Sequence, residues 1–331
     1  MNNVLTLSPS RLEVMRHLES YVDKMTTKFL RPIESNWQPS DLLPDASKFE
    51  FFDKIKELQE RARELSYDFW IVLIGDMITE EALPTYESWL MDVEGVHQGE
   101  KENPWTKWVR GWTAEENRHG DVLNKYLYLS GKVNMKQVEI STQHLIADGF
   151  DIGTATDPYR NFVYTSFQEL ATNISHKRVA QLAGSHDNTE LEKMCNLVAA
   201  DEARHAYAYM AFVEKIMEVD TNEMLLAFED MMRKKIVMPA HFLKEIGGKA
   251  GETFKHFSDC AQRLGVYTAE DYVDIMEMLI KKWNLANLTD LNEKGEKARD
   301  YIMKLPARLM RVAERMKPET SVGYKFKWID E

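Results

Sequence analysis

Along most of the chain, apolar residues recur every three or four positions, which is the period of an amphipathic helix. Leu12, Met15, Leu18, Val22 and Met25 establish it first, behind the start signal Ser8-Pro9-Ser10 and as far as Pro32. The same period predicts helices at roughly 48–66, 71–94, 105–131, 134–148, 157–184, 187–218, 221–238, 252–264, 269–286 and 290–316. A loop is expected from about Pro32 to Ser47, where Trp37, Pro39 and Pro44 interrupt the pattern, and Gly131, Gly149, Gly184 and Gly265 punctuate the later segments. The tail is different. Val322, Tyr324, Phe326 and Trp328 alternate, which predicts a short strand or hairpin over 321–331.

Four of the expected helices, 71–94, 105–131, 157–184 and 187–218, are unusually long. At 1.5 Å per residue each would extend roughly 36 to 48 Å. The chain lacks the heptads of a coiled coil, and its longest purely apolar run, Phe69 to Ile74, is too short to span a bilayer. A large helical bundle is what remains. No composition shift divides the chain, so one domain over 1–331 is expected.

Composition narrows the partners. With 44% hydrophobic and 29% charged residues the chain is globular, not disordered or a disulfide scaffold. A net charge of −12 argues against a general nucleic-acid binder, though a local basic patch could still receive an acidic partner. Arg11 and Arg16 are followed by no apolar segment of a secretory signal. Cys195 and Cys260, the two cysteines, lie within helical patterns and read as free, reduced thiols. The class expected is a soluble, reduced, mainly helical protein.

Glu116-Asn117-Arg118-His119 and Glu202-Ala203-Arg204-His205 both read Glu-x-x-His, which on a helix sets carboxylate and imidazole on one face, able to share a metal ion. One copy would carry little weight in so Glu-rich a chain. Glu94-Gly95-Val96-His97 matches as well, but it straddles a glycine in a polar stretch and reads as accidental. The other two have company. Glu80 and Glu169 are carboxylates in largely apolar helical patterns, 36 and 33 residues ahead of Glu116 and Glu202. One helix pair is thus used twice, in the pattern of ferritin-like di-iron carboxylate bundles. Four buried carboxylates would be prohibitive without cations, and two divalent ions supply +4 against −4. Nitrogen and oxygen ligands without thiolate suit iron or manganese. The residues alone leave Glu80 and its neighbour Glu81 open as the first ligand, whereas Glu116 is preferred over Glu115 because it stands three before a histidine.

The chain resembles the soluble acyl-carrier-protein desaturases, the plant-plastid type also found in some bacteria. The resemblance rests on Gly75-Asp76-Met77-Ile78-Thr79-Glu80-Glu81-Ala82-Leu83-Pro84, Trp112-Thr113-Ala114-Glu115-Glu116-Asn117-Arg118-His119, Tyr164-Thr165-Ser166-Phe167-Gln168-Glu169 and Met231-Met232-Arg233-Lys234-Lys235, among other stretches over nearly the whole length. It implies an all-α, eleven-helix ferritin-like bundle, a homodimer, and two iron ions per chain held by Glu80, Glu116, His119, Glu169, Glu202 and His205. It also selects Glu80 over Glu81. Thr172, three residues after Glu169, would assist oxygen activation, and Trp37, Asp201 and His119 would form a chain beside the metals. Trp89, Asn161 and Phe162 would line the acyl pocket; Trp89 stands where Met is usual and Asn161 where Gly is usual, so a shorter, palmitoyl-like chain is expected. Arg31, Arg233, Lys234 and Lys235 would face the acidic carrier.

The implied activity is O2-dependent insertion of a cis double bond, at Δ9, into a saturated C16 or C18 chain on acyl carrier protein, with electrons from ferredoxin. Two other functions compete. A ribonucleotide reductase small subunit carries a radical Tyr one turn after its first Glu-x-x-His, where this chain has Leu123. A ferritin-like iron store is typically about half as long. The compartment expected is a bacterial cytosol or a plastid stroma.

Overall fold

A computed structural model describes residues 9–96, 103–249, 251–316 and 324–329. It is all-α: among the described residues there are twelve α-helices, four short 3-10 turns and no strand. The helices are α1 (Pro9–His17), α2 (Glu19–Phe29), α3 (Phe51–Arg63), α4 (Tyr67–Glu81), α5 (Leu83–Asp92), α6 (Pro104–Ser130), α7 (Met135–Asp148), α8 (Pro158–Ser185), α9 (Thr189–Lys234), α10 (Glu252–Leu264), α11 (Ala269–Lys282) and α12 (Glu293–Ala313). Their starts follow from local chemistry. Ser66, Asn103, Asp157 and Asn188 each accept a backbone N–H of the first turn of α4, α6, α8 and α9, and Pro104 and Pro158 occupy first positions where no N–H is needed.

Two boundaries depart from expectation. The pattern over 71–94 is two helices, broken at Ala82, because Pro84 has no N–H to offer the carbonyl four residues back, that of Glu80. The opening pattern also divides, at Leu18. The boundary expected between 187–218 and 221–238 is present as a kink within α9: two helical stretches meet at a non-helical Asp220 (φ −145°, ψ 53°), whose carboxylate receives the Tyr159 hydroxyl at 2.9 Å.

The tail is no hairpin over its described part, residues 324–329. Phe326 and Trp328 are both buried and stack at 4.8 Å, and their strand-like alternation reflects burial against helices. The backbone donors find side chains instead of a ladder: the Phe326 N–H donates to Tyr67 and the Lys327 N–H to Glu245. The loop over 32–47 is as expected, with two 3-10 turns.

α4, α6, α8 and α9 form the centre. A three-residue link turns α8 back on α9, which pack along each other; α6 packs on both α4 and α9. Apolar side chains fill the spaces between, and the largest fully buried ones include Trp105, Trp108 and Trp112 of α6. The approach of α6 to α4 is closest at Gly120, where a Cβ would lie 3.0 Å from the Glu81 backbone nitrogen. No helix among the described residues is long and apolar enough to cross a membrane.

Candidate metal centre

Each central helix contributes to one buried cluster: Glu80 from the last turn of α4, Glu116 and His119 from α6, Glu169 from α8, Glu202 and His205 from α9. The ligand atoms fall into two groups, Glu80, Glu116, His119 and Glu202 in one, Glu116, Glu169 and His205 in the other. Glu116 belongs to both. Its Oε2 lies 3.3 Å from His119 Nδ1 and its Oε1 2.6 Å from His205 Nδ1. His119 Nδ1 is also 3.0 Å from Glu202 Oε1, and His205 Nδ1 is 3.6 Å from Glu169 Oε2. Glu81 is outside the cluster and only half-buried.

Five inward atoms of this set, Glu116 Oε1, His119 Nδ1, Glu169 Oε2, Glu202 Oε1 and His205 Nδ1, are buried without a hydrogen-bond partner. Such orphans are costly unless something binds them. Carboxylate oxygens and imidazole nitrogens, converging in two groups about a shared carboxylate, fit two divalent cations of the iron or manganese type.

The outer atoms of the same residues are tied down. His205 Nε2 lies 2.9 Å from Glu115 and His119 Nε2 3.4 Å from Asp201. These bonds fix the tautomer that presents Nδ1 inward. Trp112 Nε1 donates to Glu169 Oε1 at 2.9 Å, and His176 Nε2 lies 2.8 Å from Glu80 Oε1. Arg204 joins Glu115 at 2.8 Å and Asp201 at 2.5 Å, while Arg118 joins Asp201 at 2.7 Å. None of Glu115, Arg118, Arg204 or His176 was singled out by the sequence. The signal was there: both motifs read acid-Glu-x-Arg-His, as Glu115 to His119 and Asp201 to His205.

Titration follows from this geometry. Burial works against the charge of Asp201, yet His119, Arg204 and Arg118 hold it well below the usual carboxylate range. Glu115 is lowered against burial by His205, the Arg31 N–H and Arg204. Both therefore stay ionised as acceptors. Within the cluster, burial pushes Glu169 far up, helped by the charges of Glu116 and Glu202. Glu80 is brought to about 2 against burial by the neighbouring His119 imidazole and by His176, which lies 2.8 Å away. His119 is raised despite burial, chiefly by Glu116. The negative field that raises an imidazole's affinity for a proton equally favours a cation in the proton's place.

The remaining expected residues are placed as follows. Thr172 Oγ1 donates to the Glu202 carboxylate and also contacts the carbonyls of Gln168 and Glu169. Trp37 Nε1 donates to Asp201 at 3.0 Å, and its ring lies parallel to His119 at 6.2 Å, so Trp37, Asp201 and His119 are joined. Leu123 is buried. Glu94 lies beyond α5, and His97 falls outside the described residues.

An apolar cavity of about 690 Å³ leads to the cluster; Glu80, Glu116, Thr172 and Glu202 line its inner end. Its outer end is built by Met238, Tyr301, Leu309 and Met316, with Arg233 and Lys235 at its edge. Lys235 is exposed and adopts φ 66°, a left-handed conformation rare outside glycine. Lys234 pairs with Asp230 at 2.9 Å, and Arg31 is not among the residues lining this cavity. Trp89 and Asn161 line a second, far smaller space of about 10 Å³. Phe162 lines neither; it stacks on Trp105 at 5.1 Å.

Known proteins are similar to this chain over nearly its whole length. A family model described as fatty acid desaturase matches residues 10–330. Stearoyl-[acyl-carrier-protein] 9-desaturase 1 of Arabidopsis thaliana, a chloroplastic protein, is 49% identical over 98% of this chain and 83% of its own length. Palmitoyl-[acyl-carrier-protein] 4-desaturase 3 of Ophrys sphegodes, also chloroplastic, is 47% identical with the same coverage. The X-ray structure of Mycobacterium tuberculosis DesA2, described as an acyl-ACP desaturase, superposes with a TM-score of 0.52 at 16% identity, covering 87% of this chain and 99% of that one. That likeness bears on the fold alone, and it agrees with the all-α ferritin-like bundle expected. With a shared-carboxylate ligand set, an apolar cavity ending on it and a family match from residue 10 to residue 330, the chain belongs to the fatty acid desaturase family.

Proposed function

We propose that the protein is an O2-dependent acyl-[acyl-carrier-protein] desaturase that inserts a cis double bond, at Δ9, into a saturated C16 or C18 chain. The observation that carries this reading is the apolar cavity of about 690 Å³ whose inner wall is made by the candidate metal ligands. A volume of that order suits a small-molecule site, and an apolar lining suits an alkyl chain. A ferritin-like store has no use for such a cavity. The buried Leu123 removes the radical tyrosine that the reductase reading needs.

Iron bound by Glu80, Glu116, His119, Glu169, Glu202 and His205, two ions per chain, would supply the O2 activation needed to attack an unactivated methylene pair. Two hydrogens leave adjacent carbons, O2 is reduced to two waters, and two electrons and two protons arrive from outside. The chain's own residues set the conditions. The apolar walls exclude water from the reacting carbons. Thr172 holds the Glu202 carboxylate and has a hydroxyl proton at the cavity's inner end. Asp201, between Trp37 and His119, links the cluster to a half-buried indole on the other side. Ferredoxin as electron donor, the carrier protein at the cavity edge near Arg233 and Lys235, a homodimer, a single domain over 1–331 and a bacterial-cytosol or plastid-stroma location complete the reading. The relatives' names support the carrier and the chemistry.

The test is a turnover assay with stearoyl and palmitoyl carrier protein, reduced ferredoxin and O2, reading double-bond position by mass spectrometry. A Δ9 monoene is expected. No olefin from either substrate, with iron bound, overturns the reading, and a Δ4 product overturns the position.

A further inference from the structure

The large cavity passes the candidate ligands and reaches Tyr86, Trp112 and Gln168, where a much smaller space adjoins it. Three residues, Tyr86, Trp112 and Gln168, line both and so form the partition between them. The space behind, of about 10 Å³, is at the lower limit for one water molecule and admits no methylene unless a wall moves. How far an alkyl chain runs past the reacting carbons therefore depends on this partition.

Its members differ in freedom. Trp112 is pinned by its hydrogen bond to Glu169 and by ring contacts with His205 and Tyr209. Tyr86 is wedged edge-on against Trp89 at 5.7 Å and Phe150 at 5.4 Å. Gln168 is only 9% exposed, yet its side-chain amide makes no hydrogen bond with any described residue. An amide that lines both spaces and is held by no hydrogen bond, on an unbranched side chain with three rotatable bonds, is the movable member. Its backbone is fixed within α8, one residue before Glu169, so what moves is the side chain.

The geometry points to Gln168 as a specificity-determining residue: its side chain is the stop that fixes how many carbons of the acyl chain extend beyond the metal centre. This rests on the desaturase reading above. Shortening Gln168 joins the two spaces and lets additional methylenes enter the region bounded by Trp89, Leu90 and Ile152. Replacing it with Met, similar in length and without an amide, keeps the stop.

The experiment measures the Kd of acyl carrier proteins bearing C12 to C20 chains for the iron-loaded protein under anaerobic conditions, and in parallel the products of turnover. In the unaltered protein, affinity is expected to rise with each added methylene and break off at one chain length. A smooth rise through C20 overturns the proposal without any variant. In Gln168→Ala the break moves to longer chains, with about a tenfold gain for two further methylenes admitted. In Gln168→Met it stays. An unmoved break in Gln168→Ala, with iron content and helicity retained, also overturns it. Should the unaltered protein bind the ladder with a break but form no olefin, the desaturase reading fails and the stop stands.

Discussion

Glu115 Oε2 lies 2.9 Å from His205 Nε2, so the residue beside the shared ligand of one motif orients the imidazole of the other. Asp201 reciprocates toward His119. Each motif thus braces its counterpart across the bundle, and neither α6 nor α9 can rotate without loosening a ligand on its neighbour. Glu115→Ala is expected to weaken iron binding by about 10–100-fold, the usual scale for losing such a support, and Glu115→Gln to weaken it less. Titration against a competing chelator measures both. Unchanged affinity in the alanine variant would remove Glu115 from the supporting set.

Two ions per chain are expected on reconstitution with ferrous iron under anaerobic conditions. Glu116→Ala deletes the carboxylate common to both groups and should lower the content below one ion. Glu202→Ala should spare the Glu169–His205 group better than the other. Elemental analysis decides, and a single zinc with no second ion after reconstitution would exclude a di-iron centre.

Thr172→Val removes the hydroxyl that bonds the Glu202 carboxylate while nearly preserving volume. Iron content and melting temperature should be retained, and single-turnover olefin formation should slow by roughly 100-fold if the hydroxyl's proton is used. Full-speed turnover would leave Thr172 only its contacts with the Gln168 and Glu169 carbonyls.

Trp89 and Asn161 narrow the space behind the partition, and Asn161 is held there by bonds from its amide to the carbonyls of Ala155 and Asp157. Palmitoyl carrier protein should therefore outcompete stearoyl carrier protein, since two methylenes without room forfeit about 0.8 kcal/mol each. Trp89→Met combined with Gln168→Ala should shift the ratio further toward stearoyl than Gln168→Ala alone. A clear stearoyl preference in the unaltered protein would show that the pocket keeps its depth despite the indole.

Both thiols should resist alkylation. Burial raises Cys195, and burial with the Asp68 charge beside it lifts Cys260 to about 12. A raised thiol pKa keeps the unreactive protonated form well above neutrality, and thiolate appears only as the pH nears 12. Iodoacetamide at pH 8 should label neither residue until denaturant is added; rapid labelling of the folded protein at Cys260 would contradict its burial.

The clustered residues were legible because their spacing is regular: i and i+3 within each motif, and 36 and 33 residues from Glu80 to Glu116 and from Glu169 to Glu202. Which carboxylate of a Glu-Glu pair turns inward was legible only where a histidine followed. Glu115 was weighed only as a ligand and set aside; its bond to His205 was not legible because that partner is 90 residues away and adjacency in the fold leaves no local period. The tail misled for a related reason. Alternating burial predicts a strand only when a neighbouring strand takes the backbone donors, and here Tyr67 and Glu245 take them. The break at Ala82 was written in Pro84, but an apolar pattern running through it masked the stop.

Gly120 contributes no atom to the cluster, yet a Cβ beside His119 would lie 3.0–3.2 Å from the α4 backbone at Glu80 and Glu81, and α4 would have to give by a few tenths of an ångström. The distance between the ligands of α4 and those of α6 is thus set by something missing from the surface of a helix. Anyone transplanting the six ligands onto another four-helix scaffold would need to carry this glycine as a seventh component. An otherwise faithful copy with alanine there would set the α4 carboxylate a few tenths of an ångström further from the α6 pair.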